Sequence, residues 1–215
     1  MSWSSGKDST LALHVARNDL GMEVKRLLTT VNAAADRVAM HAVRRDLLEA
    51  QAARLGIPLH VVEIPSPCPN SRYEEVMAEA MARALEEGAD HVVFGDLFLE
   101  DVRAYREERL RGSGVSPVFP LWGRDTHELA RRMIGAGVRA VVTCVDPRQV
   151  PADLVGRQYD EQFLAALPEG ADPCGERGEF HTFVWDGPGF ASPVQIEVGE
   201  TVERDGFVFC DVLAV

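Results

Sequence analysis

Through the first half of the chain, short apolar runs alternate with longer amphipathic stretches, and few folds accept that order. Lys25–Val31 (KRLLTTV), Leu59–Ile64 (LHVVEI) and His91–Phe94 (HVVF) read as strands. Between the first two, Val38–Leu55 reads as a helix, because Val43, Leu47, Leu48 and Ala52 recur at helical spacing. Gly56-Ile57-Pro58 ends it, with glycine past the last turn and a proline that cannot continue it. The three prolines of Pro65–Asn70 make that stretch a loop. Ser71 is expected to cap a helix over Arg72–Glu87, which Gly88 stops, and a further helix covers Glu100–Arg111. Strands this apolar, separated by helices, predict an α/β fold with a parallel sheet covered by helices on both faces. Ligands of such sheets sit beyond the carboxyl ends of the strands. The informative segments are therefore Ser4–Ser9, Val31–Asn32, Pro65–Asn70 and Gly95–Glu100.

After Trp122 the pattern changes. Helices are expected at Thr126–Ala136 and Asp160–Leu167, and a strand at Ala140–Val145. Two β-like runs, Gln195–Glu203 and Phe207–Leu213, flank Arg204-Asp205-Gly206, which predicts a hairpin turn. The expected division is a domain over 1–122 and a smaller α+β domain over 123–215. With 46% hydrophobic residues, 215 residues suffice to bury a core. The net charge of -12 disfavours nucleic acid and anionic membranes as partners. No apolar run reaches the roughly 18 residues of a membrane span, and Met1-Ser2-Trp3 does not read as a signal or transit peptide. Cys68, Cys144, Cys174 and Cys210 form no CxxC pair, which argues against structural zinc and for reduced thiols in the cytoplasm. Cys144 and Cys210 read as core, Trp3 as packing and His41 as a surface histidine.

Three stretches carry chemistry. Trp3-Ser4-Ser5-Gly6-Lys7-Asp8-Ser9-Thr10 leads into the apolar helix Leu11–Ala16. Small residues admit a ligand close to the backbone, a helix N-terminus favours an anion, and Lys7 adds charge. That combination suits a pyrophosphate, although the G-x-x-x-x-G-K-[ST] pattern is absent and a serine-capped strand-to-helix turn explains the residues equally well. Gly95-Asp96 follows a strand, and Asp96 has the hard oxygens that suit Mg2+. Arg103 and Arg106, downstream, face phosphates from one helical face or belong to a solvated Glu–Arg surface. The third stretch, Asp172-Pro173-Cys174-Gly175-Glu176-Arg177-Gly178-Glu179-Phe180-His181-Thr182-Phe183, packs two glycines, two glutamates and a thiol into one loop, which is either a site or a tight turn. Arg157 and Asp160 stand close enough in sequence to line a pocket beside it.

Ser4-Ser5-Gly6-Lys7-Asp8-Ser9 resembles the S-G-G-x-D-S loop of the PP-loop ATP pyrophosphatases, with Ser5 in place of a glycine and only Met1–Trp3 where the first strand is usually longer. With Gly95-Asp96, Pro120-Leu121-Trp122 and Glu176-Arg177-Gly178-Glu179-Phe180-His181-Thr182 in the same order, the chain resembles the diphthine–ammonia ligase (diphthamide synthase) branch. The last motif matches E-G-G-E-[YF]-x-T except for Arg177, and its Cys-Gly-Glu-x-Gly-Glu-Phe-His-Thr-Phe form is similar to that of bacterial relatives. Because bacteria lack diphthamide, the acceptor carboxylate stays open. The resemblance implies a HUP/Rossmann-like sheet, ATP and Mg2+, a small-molecule or modified-residue carboxylate, ammonium or an amine, and a homodimer as one assembly. It implies that Lys7, Asp8, Asp96, Glu176 and Glu179 are catalytic, with Asp96 on the metal. Ser4, Ser5, Gly6, Ser9, Thr10, Thr30, Val31 and Gly95 would hold ATP, the adenine lying against the Thr29–Val31 backbone. Arg103, Arg106, Cys174, Gly175, Gly178 and Thr182 would meet the substrate. Two alternatives are a sulfur transferase acting on tRNA through Cys68 and Cys174, and a nucleotide sensor without turnover.

Overall fold

The computed structural model describes residues 1–33, 37–38, 43–65 and 67–215, so His41 lies outside the described residues. Its elements in chain order are α1 (Lys7–Asn18), β1 (Leu27–Asn32), β2 (Arg37–Val38), α2 (Arg45–Leu55), β3 (Leu59–Ile64), α3 (Asn70–Glu86), β4 (His91–Val93), α4 (Glu100–Leu110), β5 (Ser116–Val118), α5 (Thr126–Gly135), β6 (Arg139–Val145), α6 (Glu161–Ala166), β7 (Phe180–Asp186), β8 (Ile196–Arg204) and β9 (Phe207–Ala214).

β1 pairs in parallel with β3, and β4 with β5. The first residues join the two pairs. Ser2 bridges Leu28 in parallel and donates its N–H to Val93 O at 2.9 Å, while Trp3 N donates to Leu28 O at 2.8 Å. Met1–Trp3 thus serve as a short inner strand whose exit delivers Ser4 to the carboxyl end of the sheet. Side chains alternate across it: Leu27 and Val31 pack with α2 on one face, and Leu28 packs with α3 and α4 residues on the other. The predicted parallel sheet with helices on both faces is therefore the observed one. Pro117 is tolerated in β5 because, among the described residues, that strand pairs on one side only, with β4.

An antiparallel sheet of order β7-β6-β9-β8 completes the molecule. Asp205 and Gly206 both adopt positive φ and close the β8–β9 hairpin, as the sequence predicts. The largest core mixes the two halves, with Leu11 and Val15 of α1 packed among Leu129, Met133, Phe163 and Phe180. Two local expectations are corrected. Val38 belongs to β2, antiparallel to β1, and helix α2 begins only at Arg45. Ser71 lies inside α3, whose N-cap is Pro69, because the fixed φ of proline suits the entry to a helix. Among the described residues no helix is long and apolar enough to cross a membrane.

Candidate functional site

The loop before α1 is built around a strained residue. Ser5 is fully buried with φ +68, a conformation that costs a residue with a Cβ about 1–2 kcal/mol. Two donors hold its carbonyl: Val184 N of β7 at 3.0 Å and Gln51 Nε2 of α2 at 3.0 Å. Gln51 also donates to Val184 O and accepts from the Trp3 indole at 2.9 Å. One buried amide thereby ties the first residues, α2 and β7 to the loop. Sequence reading passed over Gln51, although a glutamine on the apolar face of α2 beside Leu48, Ala52 and Leu55 was the available signal. Ser5→Gly is expected to raise stability by about 0.5–1 kcal/mol in urea unfolding, the relief of φ strain exceeding glycine's entropy cost.

Gly6 turns the chain into α1. A Cβ there would lie 3.2 Å from Thr182 O, and Lys7 N donates to Thr182 Oγ1 at 3.2 Å. Ser9 and Thr10 direct their hydroxyls back to Gly6 O at 2.9 and 3.0 Å, and Ser4 Oγ donates to Ser9 Oγ at 3.2 Å. Gly95 presses on the same turn, where a Cβ would stand 3.1 Å from Ser9 N and 3.2 Å from Asp8 C. Gly95→Ala is expected to cost about 1–3 kcal/mol, because backbone rather than a flexible side chain would have to yield; a thermal melt reads it.

Lys7 is 2% exposed and points under the third stretch. Its ammonium lies 2.9 Å from Asp8 Oδ2, donates to Cys174 O, and sits 5.1 and 5.4 Å from the Phe180 and Tyr159 rings. Burial opposes its charge, but Asp8 and the neighbouring groups outweigh burial and hold the pKa above the usual value. Tyr159, also missed in the sequence, donates its hydroxyl to Pro173 O at 2.8 Å.

Buried carboxylates shape the third stretch. Glu179 accepts from Asp172 N at 3.1 Å and Arg177 N at 2.9 Å, and Asp172 accepts from Glu176 N at 2.9 Å. Glu179, 1% exposed, thus holds the turn together. Gly175 has φ +67, and a Cβ there would fall 2.8 Å from Phe180 O; Gly178 has φ +84 with open space around it. The Cys174 thiol, 1% exposed, lies 3.4 Å from Thr126 O, and burial pushes its pKa far up. A thiol kept protonated is a poor nucleophile, which leaves the sulfur-transfer alternative without its reagent at this position.

Glu176 points the other way, to the Gly95-Asp96 turn, and accepts from Leu97 N at 2.8 Å. Burial, then the nearby Asp8 and Asp96 charges, push its pKa up to about 7. Asp96 accepts from Arg106 Nη2 at 3.0 Å, while its Oδ2 and Arg106 Nε stand 2.8 Å apart without a hydrogen bond. Lys7 and Asp8, Asp96, and Glu176, from three segments far apart in sequence, therefore act on one another electrostatically. Arg103 lies apart from them, stacked 4.9 and 4.7 Å from the Phe119 and Trp122 rings and paired with Glu107. Arg157 pairs with Asp153, and Asp160 caps α6.

Beside the loop opens a cleft of about 710 Å3 at the carboxyl ends of the parallel strands. Ser4, Thr30, Tyr73, Met77, Phe94 and Arg106 are among its walls. Of the expected nucleotide residues, Ser4 and Thr30 face this space; Val31 is buried in the core, and Ser5 and Thr10 are buried too.

Two family models match the chain. The diphthamide synthase N-terminal domain matches residues 1–117 and the diphthamide synthase C-terminal domain matches residues 125–212. Among curated proteins, the chain is similar to the diphthine–ammonia ligases of Rattus norvegicus and Homo sapiens, each 24% identical over 73% of this chain and 61% of theirs. That of Danio rerio is 28% identical over 73% of this chain and 64% of its own. The chain spans about three fifths of the length of these relatives.

Proposed function

The chain belongs to the diphthamide synthase family, and from that premise we propose that it is an ATP-dependent, AMP-forming ligase acting on a carboxylate and an amine. ATP would lie in the cleft with its base near Thr30 and its phosphates toward Ser4 and the first turn of α1. An oxygen of the acceptor carboxylate attacks the α-phosphorus, and the bond to pyrophosphate breaks. Ammonia or an amine then attacks the acyl carbon, AMP leaves, and the amine's surplus proton passes to a base. What supports the reading most is the meeting of three distant segments: Lys7 with Asp8, Asp96, and Glu176 act on one another, and Arg106, the partner of Asp96, lines the cleft together with Ser4.

The residues present fit the groups the family implies. The cleft offers apolar and aromatic walls for a base, and Ser4 and Arg106 as polar contacts for phosphates. Asp96 Oδ2 makes no hydrogen bond but stands 2.8 Å from Arg106 Nε, so a Mg2+ on Asp96 would have to displace that guanidinium. Among the described residues no three ligating side chains gather, so a Mg2+ here would need one or two carboxylates and the phosphates themselves as ligands. When bound, the ion would offset phosphate charge. Lys7 stabilises the charge of the departing pyrophosphate through the α1 turn. Glu176 accepts the amine proton, and Glu179 positions it by fixing the turn.

Thr30→Trp fills the cleft and is expected to abolish ATP binding in calorimetry while circular dichroism stays native; wild-type affinity in that variant would remove the cleft from the reading. Glu176 supplies a pH test. Its pKa of about 7 lies above the usual 4.5, so the folded state keeps a proton that the unfolded state has lost between those values. Stability therefore falls as pH rises from 4.5 to 7 and levels off above, and Glu176→Gln removes that part of the slope. Activity moves the opposite way, rising through pH about 7 as the base becomes available.

A further inference from the structure

A second cleft, of about 650 Å3, lies on the far side of the third stretch, between α5, α6 and the 168–173 segment. Its wall holds His127, Arg131 and Arg177. In a chain of net charge -12, where arginines such as Arg109, Arg132 and Arg148 are ion-paired, Arg131 and Arg177 form no ion pair among the described residues. Glu161 and Glu169 line the same cleft without pairing to either. The Arg177 guanidinium lies 5.3 Å from the centre of the Phe98 ring, and the residue's backbone N–H, which donates to Glu179, fixes where its side chain leaves the turn. Phe98 and Arg177 are the chain neighbours of Leu97 and Glu176, the pair that joins the Gly95-Asp96 turn to the third stretch. The cleft therefore abuts the group of carboxylates just described.

We propose that this cleft is an oxyanion site in which Arg131 and Arg177 grip a carboxylate or phosphate at the remote end of the acid to be activated. The acceptor is then an acid with at least two anionic groups, one at the α-phosphorus and one between the arginines. This rests on the ligase reading for the identity of the ligand, but the anion site is testable without it. A guanidinium suits the task because its planar fork binds both oxygens of an oxyanion at once. The motif position filled by Arg177 is glycine in the resembled pattern, so the grip is a feature of this chain.

The experiment is titration of the full-length protein with glutarate and with inorganic phosphate, followed by amide chemical shifts and calorimetry. It is run on wild type and R131Q/R177Q, with glutaramide as the neutral control. The expected result is that at least one anion shifts Phe98, Arg131 and Arg177, that glutaramide does not, and that the double variant binds at least about tenfold more weakly with an unchanged melting temperature. Binding by glutarate alone assigns a carboxylate end, and by phosphate alone a phosphate end. No shift at the cleft by either anion, equal binding of glutaramide, or undiminished affinity in the double variant overturns the proposal. ATP titrated into the wild type separates the two ideas: anion binding without ATP binding keeps the site and removes the ligase reading.

Discussion

Lys7→Ala is expected to lower ATP–pyrophosphate exchange by about 100- to 1,000-fold, the effect of removing one preorganised charge from a buried site. The ammonium is 2% exposed, so water cannot replace it. Its loss also strands Asp8 and the Cys174 carbonyl, both of which it holds. Some destabilisation must accompany the loss of activity, moderated because the Asp8 side chain is 27% exposed. Lys7→Met/Asp8→Asn separates the two effects. Neutralising both partners is expected to restore the melting temperature while exchange stays low. Near wild-type exchange in Lys7→Ala, at a temperature where it is folded, would mean that Lys7 is only a strut beneath the loop.

The second large effect is structural. Gln51→Leu is expected to lower stability by about 2–4 kcal/mol, read as a reduced urea midpoint. Leucine fills similar volume, so the loss isolates the hydrogen bonds rather than a cavity. The Trp3 indole N–H would be left buried without its acceptor, and the Ser5 and Val184 carbonyls would each lose a donor. Because Ser5 sits at φ +68, its carbonyl is one of the points that hold the strained turn in place. Gln51→Leu should therefore also loosen the loop before α1. In combination with Ser5→Gly, which needs less holding, the net destabilisation should be smaller than the sum of the two single effects. Simple additivity of the two changes would contradict the idea that Gln51 acts on that turn.

What the sequence made legible follows from the physics of each signal. β3 was found with its observed bounds because six residues between Pro58 and Pro65 leave little choice. The β8–β9 hairpin was readable from Asp205-Gly206, and α5 and α6 were expected where they occur; the caps at Asp125 and Asp160 mark their starts. β5 was missed because three residues including a proline carry no period, and β7 because its residues were read as motif rather than strand. That second miss matters, since β7 supplies both Val184 and Thr182 to the loop before α1. Pairing across more than 170 residues leaves no mark in local pattern. The motif segments meet in space, but the motifs did not give the direction of their side chains. Glu176 and Glu179, three residues apart, face different tasks: one meets the Gly95-Asp96 turn, while the other accepts two amides of its own loop.

The most direct measurement is the identity of the nucleotide product. The protein would be incubated with ATP labelled at the α-phosphate, Mg2+, ammonium and a panel of mono- and dicarboxylates, and the products separated. The account predicts labelled AMP together with pyrophosphate, dependent on the acid supplied. Labelled ADP with orthophosphate, or ATP that does not bind at all, would contradict it.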